Sequence, residues 1–230
     1  MCGRLPRGSV AAHGRCVTPE QYDAWYRTPR GAWIGDIEFR MLVGMLRAQP
    51  GDGLLDVGCG TGYFSRRFAR EAGLQVSGVD PDAASLAYAR TQSQPGEQFV
   101  EGRAEQLPFR DCSFDGAVSV TALCFIDEQR HALQEMLRVT RRRVVLGLLN
   151  RNSLLHRQVG RRGGVGGYRS AHWHTSAEIR KLFDGLPIAN LELRSAIFLP
   201  GGGRVARLVE YTMPSRLLLG GFLAVAADSA

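Results

Sequence analysis

Five consecutive residues, Gly58-Cys59-Gly60-Thr61-Gly62, have the types and spacing to receive a ligand. They follow an apolar run of strand character, Leu54-Leu55-Asp56-Val57, and precede a stretch of helical spacing that begins at Tyr63. Glycines at such a turn let the backbone approach a ligand with no Cβ in the way. The N-terminus of the following helix offers free N–H groups to a polar or anionic ligand group. Asp80 comes 18 positions after Gly62, at the end of a second strand-like run over 74–79. A carboxylate there accepts both hydroxyl hydrogens of a ribose. Together these residues predict a site for a nucleoside-containing cofactor. The dinucleotide fingerprint G-x-G-x-x-G does not fit, because the third glycine comes one position early and Tyr63 fills the required place. The Gly-Lys-Ser/Thr ending of a Walker loop is absent.

A second group with chemical potential is His172-Trp173-His174. Alternate spacing puts both rings on one face of an extended segment, where either is a candidate general base for a hydroxyl substrate. The competing reading is a polar loop leading into a helix capped near Ser176. No third ligand of known spacing accompanies the pair, so no metal site is expected.

These groups need a scaffold, and the pattern of the chain supplies one. Strands are expected near 53–57, 74–79, 98–101, 114–120 and 143–149, with helices near 62–72, 82–92 and 128–139. Such alternation means βαβ units and a parallel sheet covered on both faces. Residues 1–18 mix glycine, proline and arginine without periodicity and read as a flexible arm. Residues 19–27 read as a short helix carrying Tyr22, Trp25 and Tyr26. Apolar spacing at Ile37, Met41, Leu42, Met45 and Leu46 gives a second helix over 36–47, stopped by Pro50-Gly51-Asp52-Gly53. Arg141-Arg142-Arg143 reads as a solvated turn before the fifth strand. The segment 157–169 mixes arginines with five glycines and reads as a loop or a mobile lid. A helix over 176–183 and strand-like runs over 191–199 and 219–226 complete the chain.

Composition sets outer limits. The 230 residues suffice for one sizeable domain, and 44% hydrophobic with 22% charged content is ordinary for a globular protein. The net charge of +7 rests on arginine, Lys181 being the only lysine, and permits nucleic-acid binding without requiring it. Five cysteines, with no C-x-x-C pair, argue against a disulfide framework and for a reducing cytoplasm. The apolar stretch 217–227 is too short to span a bilayer, and the N-terminus lacks the apolar core of a signal peptide.

The Asp-x-Gly-x-Gly-x-Gly pattern of 56–62 resembles the first motif of the class I S-adenosylmethionine methyltransferases. Val79-Asp80-Pro81-Asp82 resembles that family's second motif, and 99–109 its third. Ser113-Phe114-Asp115-Gly116-Ala117-Val118 resembles its fourth strand, and Glu135-Met136-Leu137-Arg138-Val139 the end of the next helix. The likeness covers roughly residues 50 to 150 and is nearest to the ubiquinone and menaquinone biosynthesis methyltransferases. It implies a Rossmann-like, doubly wound α/β fold. The sheet would be mostly parallel and seven-stranded, with helices on both faces and an antiparallel strand near the C-terminus. It also implies one domain over 19–230, with a helical cover over 19–49.

The cofactor implied by the resemblance is S-adenosyl-L-methionine, and the product S-adenosyl-L-homocysteine. On the family pattern Asp56 receives the methionine amino group, and Gly58, Cys59 and Gly60 line the cofactor, Cys59 through its backbone. Asp80, with Pro81 beside it, holds the ribose. Ala104 and Glu105 lie beside adenine, while Arg103 stands where many relatives carry aspartate. Val120 and Thr121 line the sulfur end, Cys124 and Phe125 flank the substrate entrance, and Tyr26 closes over the site. The acceptor implied is a small molecule with an oxygen, nitrogen or carbon nucleophile. No Asp-Pro-Pro-Tyr or Asn-Pro-Pro-Tyr follows the fourth strand, which disfavours base-amino methylation. An RNA or protein methyltransferase and a non-catalytic cofactor-binding protein remain the alternatives.

Overall fold

The computed structural model describes residues 18–230. The flexible arm expected over 1–18 therefore lies outside the described residues, apart from Thr18, whose hydroxyl accepts the Gln21 N–H while the Gln21 side chain accepts the Thr18 N–H. This reciprocal cap starts helix α1, Pro19–Trp25. Thr28 caps α2, Pro29–Leu46, with proline in its first turn. Helix α2 begins a full two turns before the expected 36. Its first turns carry Gly31 and Gly35, which blur the apolar period. A Cβ on Gly35 would lie 2.9 Å from the Tyr26 ring, so the glycine admits α1 against α2.

The remaining elements follow in order: β1 Gly53–Val57, α3 Tyr63–Ala72, β2 Gln75–Asp80, α4 Ala83–Gln92, β3 Glu97–Glu101, β4 Phe114–Val120, α5 Gln129–Val139 and β5 Thr140–Leu149. Then come α6 Ser176–Phe183, β6 Ile188–Ala196, α7 Arg204–Thr212 and β7 Phe222–Ser229. The seven strands form one sheet in the order β3-β2-β1-β4-β5-β7-β6. Strand β7 runs antiparallel to both of its neighbours, and the other pairs are parallel. Strand order reverses between β1 and β4, and a crevice opens there beyond the strands' C-terminal ends.

Alternation along β1 sends Leu55 and Val57 to one face, with Leu133 and Met136 of α5 and Ile179 of α6. Leu54 goes to the other face, with Leu42 of α2 and Phe68 of α3. Both faces are thus covered, and a small third cluster joins Leu86 and Ala89 of α4 to Phe99.

Three stretches differ from the sequence expectation. Arg141-Arg142-Arg143 belongs to β5 rather than to a solvated turn: Arg143 is buried and paired with Asp228 and Glu192, Arg142 pairs with Asp52, and Arg141 with Asp115. The segment 157–169 folds into short helical turns over His156–Gly160, Arg161–Gly163 and Gly166–Tyr168. Strand β6 ends at Ala196, and α7 follows it. Helix α7 has no core-facing apolar period, because its apolar residues Val205, Leu208 and Tyr211 face solvent. It is held by Glu210, whose carboxylate accepts the N–H groups of Ile197 at 2.9 Å and Phe198 at 3.0 Å.

Candidate functional site

The glycine turn sits in the crevice between β1 and β4. The N–H groups of Gly58 and Cys59 both donate to the Val79 carbonyl, at 2.7 and 3.1 Å, which straps the turn to the end of β2. Gly58 has φ +74° and no room: a Cβ there would lie 2.2 Å from the Ala122 Cβ. Gly60 has φ +52°, yet a Cβ there would meet nothing within 4 Å. So Gly58 is glycine for the fold, while Gly60 faces open space on the crevice side.

Asp80 is the centre of this half. Its Oδ2 accepts the Gly60 N–H at 2.8 Å, and its Oδ1 accepts the Asp82 N–H at 2.9 Å. Capping of α4 falls to Asp82, whose carboxylate accepts the Ser85 N–H. Asp80 is therefore held by backbone on two sides and keeps a lone pair on each oxygen for a ligand hydroxyl. Burial pushes its pKa up, the two N–H donors pull it down, and the Asp82 charge raises it again. Pro81, next to it, is exposed.

Asp56 lies beneath the turn, buried, with its Oδ2 accepting the Ser65 hydroxyl at 2.6 Å. Burial, opposed by the Ser65 hydrogen bond and aided by the Asp80 charge, pushes its carboxyl up to about 7. The Cys59 sulfur packs toward Gly78, where a Cβ would come within 2.7 Å of it. Burial pushes that thiol well up, so its sulfur is poorly reactive.

The third strand brings its exit loop to the same place, since the Gly102 N–H donates to the Asp80 carbonyl at 3.2 Å. Ala104 is buried there. Arg103 is exposed and turns to Glu105 at 3.0 Å. At the end of β4, Val120 is buried, and Thr121 takes φ +59° with its N–H on the Gly147 carbonyl at 2.8 Å.

Helix α1 is fastened across the turn by a contact the sequence did not reveal. Asp23 is buried, pairs with Arg66 and receives the Thr61 hydroxyl at 3.4 Å, while Arg66 donates to the Thr61 carbonyl at 2.6 Å. The only local signal was an acid on the aromatic helix. Tyr26 follows α1, stacks on Tyr63 with ring centroids 3.7 Å apart, and meets the Tyr22 hydroxyl at 3.4 Å. A second omission is Glu38. It lies on the core stripe of α2 between Ile34 and Leu42 and is only 9% exposed. The half-exposed Ile37 and Met41 masked this stripe in the sequence.

The two histidines meet next to Cys124, just past β4. The His172 N–H donates to the Cys124 carbonyl at 2.7 Å, and the rings of His172 and His174 lie 4.5 Å apart. His174 is buried, with Nε2 2.9 Å from the Gln129 Oε1, and its backbone bridges Leu149 and Arg151. Burial, with the neighbouring His172 and Arg151, pushes its pKa down to about 4. His172 is exposed. Among the described residues no group of three or more His, Cys, Asp or Glu could hold a metal ion, and no helix is long and apolar enough to cross a membrane.

Residues 55–147 match the family model described as a methyltransferase domain. Over 100 residues the chain is 41% identical to a malonyl-acyl-carrier protein O-methyltransferase of Pectobacterium atrosepticum, covering 44% of this chain and 39% of that protein. Over 102 residues it is 39% identical to a demethylmenaquinone methyltransferase of Renibacterium salmoninarum, covering 44% and 42%. The chain thus spans about two fifths of the length of these curated relatives. In fold it is similar to a SAM-dependent methyltransferase of Thermotoga maritima, with TM-score 0.68 at 24% identity over 92% of this chain and 95% of that one. It is also similar to phosphoethanolamine N-methyltransferase 2 of Haemonchus contortus in complex with S-adenosyl-L-methionine, with TM-score 0.66 at 17% identity over 92% and 57%. These matches make residues 55–147 similar to a methyltransferase domain, on a fold shared with solved methyltransferases.

Proposed function

We propose that this chain transfers a methyl group from S-adenosylmethionine to a nucleophilic atom of a small-molecule acceptor. The observation that carries the reading is the pairing of Asp80 with Gly60 at the switch point of the sheet. The carboxylate is fixed by two backbone N–H groups, and the space over Gly60 is open. These residues fit a ribose, which needs a rigid double acceptor beside a backbone with no side chain in the way.

When bound, S-adenosylmethionine supplies a methyl group already activated on a sulfonium. The work left to the protein is binding, orientation and exclusion of water. Asp80 would accept the ribose hydroxyls, with Pro81 turning the chain beside it. Asp56, Gly58, Cys59 and Gly60 would hold the methionine end. The Asp56 carboxyl, lifted to about 7, ionises readily when an ammonium group arrives beside it. Ala104 and Glu105 would border the adenine, Val120 and Thr121 the reacting end. Tyr26, stacked on Tyr63 and anchored through α1, would close the crevice. His174 suits holding its loop better than taking a proton near neutrality, since its pKa lies near 4. His172 is the exposed member of the pair and the candidate base for a hydroxyl acceptor.

A small acceptor is supported by the names of the relatives and by the state of the basic charge. Arg66, Arg67, Arg138, Arg141, Arg142 and Arg143 are each paired with a carboxylate, which leaves less free charge for a phosphate backbone. A cytoplasmic setting fits the free thiols Cys59, Cys112 and Cys124. One functional unit over 19–230 fits strands of a single sheet drawn from residue 53 to residue 229.

The test is incubation with methyl-labelled S-adenosylmethionine and a cell extract separated into dialysable molecules, RNA and protein. Label in the dialysable fraction is expected. Label confined to RNA or protein would replace the acceptor class, and failure to retain the cofactor in equilibrium dialysis would overturn the reading.

A further inference from the structure

Seven large hydrophobic side chains are exposed among the described residues, and five of them fall within 205–219: Val205, Leu208, Tyr211, Leu217 and Leu219. Exposed apolar residues scattered singly are ordinary, but gathered in one stretch they form a patch that marks an interaction surface. Helix α7 is built inside out. Val205, Leu208 and Tyr211 recur every third residue along one side and are 70%, 64% and 90% exposed. Ala206 is buried, and the Glu210 carboxylate accepts the Ile197 and Phe198 N–H groups at the end of β6.

This display is fixed by polar contacts and is not a frayed end. Ile197 takes φ +64°, a left-handed conformation that a β-branched residue adopts only when its surroundings hold it. Glu210 is part of that hold. The loop after α7 is fastened in the same way. The buried Ser195 hydroxyl donates to the Leu217 carbonyl at 2.7 Å. The buried Asn150 amide donates to the carbonyls of Leu218 at 3.1 Å and Gly220 at 2.7 Å. Helix and loop are thus both pinned to the last residues of β6 while their apolar side chains point outward.

Charge decides what covers the patch. The charged residues between 197 and 221 are Arg204, Arg207, Glu210 and Arg216, and the one acid is turned to the β6 backbone. Arg204, Arg207 and Arg216 are exposed, and none has a carboxylate partner among the described residues. Arg30 of α2 joins them through its Nε, which donates to the Pro200 carbonyl at 2.7 Å. Arg30 is exposed and likewise has no carboxylate partner among the described residues. The Arg207 guanidinium lies 5.9 Å from the centre of the Trp33 ring, which ties α7 to the same helix.

An apolar ridge edged by unneutralised arginines has the chemistry of a surface that settles on anionic lipid. Leucine and valine enter the acyl boundary, while the tyrosine hydroxyl and the guanidiniums stay level with the phosphates. A second copy suits this face poorly, because a two-fold contact would bring the same arginines together. Side chains this exposed project as knobs, and a bilayer takes up knobs without a matching groove. We infer that α7 and the Leu217–Leu219 loop dock the protein on the anionic surface of a lipid bilayer. The nine-residue helix lies on that surface and is too short to cross it. Strand β7 is antiparallel to both β5 and β6, so β6 runs with β5 and delivers α7 to the crevice end of the sheet. The docked face and the crevice therefore share one end of the molecule. The inference does not depend on the methyl-transfer reading.

The test is flotation of the full chain with vesicles of phosphatidylcholine holding about one third phosphatidylglycerol, and with vesicles of phosphatidylcholine alone. The parent is expected to bind the anionic vesicles at least about tenfold tighter, each arginine at the surface contributing about fivefold, and high salt to shrink that preference. Combining Val205→Ser, Leu208→Ser and Tyr211→Ser is expected to cost at least about tenfold in binding, with the unfolding midpoint unchanged because all three side chains are exposed. Combining Arg204→Gln, Arg207→Gln and Arg216→Gln is expected to level the two vesicle types. A parent that does not float, or binds both vesicles equally, overturns the inference, and this comparison needs no variant. Full binding in the serine variant also overturns it and assigns the lipid to another basic segment. Should the serine variant unfold early, the arginine variant decides, and an anionic preference kept there overturns the inference. A parent dimer in sedimentation velocity that the serine substitutions dissolve would give the face to a second copy instead.

Discussion

The crevice has two halves built on different principles. On one side, Asp56, the glycine turn and Asp80 come from 25 consecutive residues, and each carboxylate is met by a hydroxyl or backbone N–H group. On the other, Tyr26 and Glu38 come from the two N-terminal helices and Tyr168 and His174 from the segment after β5, far apart in the sequence, and the acid has no donor among the described residues. The first half is rigid because its polar groups are already satisfied by the fold. The second keeps a buried carboxyl, Glu38, that no described residue meets with a hydrogen bond. On the proposed reading, the cofactor contacts shared across acceptors belong to the first half, and selectivity for the acceptor belongs to the second.

The sharpest way to separate the halves is the pH dependence of stability. Glu38 has a folded pKa near 8, above that of a free glutamate, so the folded state binds the extra proton. Its stabilisation is full below about pH 4.5 and is lost progressively as pH rises to 8, an effect of up to about 5 kcal/mol at 1.36 kcal/mol per unit. Asp56, near 7, acts in the same direction. His174, near 4, does the opposite: its stabilisation is present above about pH 6.5 and is lost as pH falls toward 4, by up to about 3 kcal/mol. Urea unfolding from pH 4 to 9 should therefore show E38Q flattening the decline between pH 4.5 and 8 and His174→Asn flattening the loss between pH 6.5 and 4. An E38Q curve that parallels the parent between about pH 4.5 and 8 would mean that Glu38 is already ionised in the folded protein.

The bridge between the halves is the Asp23–Arg66 pair. Asp23→Ala strands the Arg66 guanidinium in a buried site, which typically destabilises by roughly 3–5 kcal/mol. The expected readout is a lower unfolding midpoint together with faster hydrogen exchange through α1. Loss of stability without faster exchange in α1 would mean that the helix is held by the tyrosine stack instead.

How much the sequence disclosed follows the same division. The glycine turn, Asp80 and the five parallel strands were legible because strand, turn, helix and acid follow each other locally with fixed spacing. The boundaries of α2 were not, because Gly31 and Gly35 serve a neighbouring helix rather than their own. Helix α7 was not, because its apolar residues face outward and its anchor, Glu210, reaches strand β6. Glu38 was invisible for the simplest reason: a glutamate in an amphipathic helix is ordinarily on the wet face, and only the packing of α2 on the sheet shows otherwise.

A smaller effect concerns the segment 157–169. It carries Tyr168 and is rich in glycine, so it is expected to exchange fast without ligand and to gain protection when cofactor and acceptor are both present. Equal protection in both states would make it a fixed wall of the crevice.

The division itself is tested most directly by titrating S-adenosylhomocysteine into the parent protein, Asp80→Asn and Glu38→Gln under one buffer. The account predicts that D80N loses at least about tenfold in affinity, one charge-assisted hydrogen bond being worth about 1.5–3 kcal/mol, while E38Q binds as the parent does. Unchanged affinity in D80N, or equal losses in both variants, would contradict it.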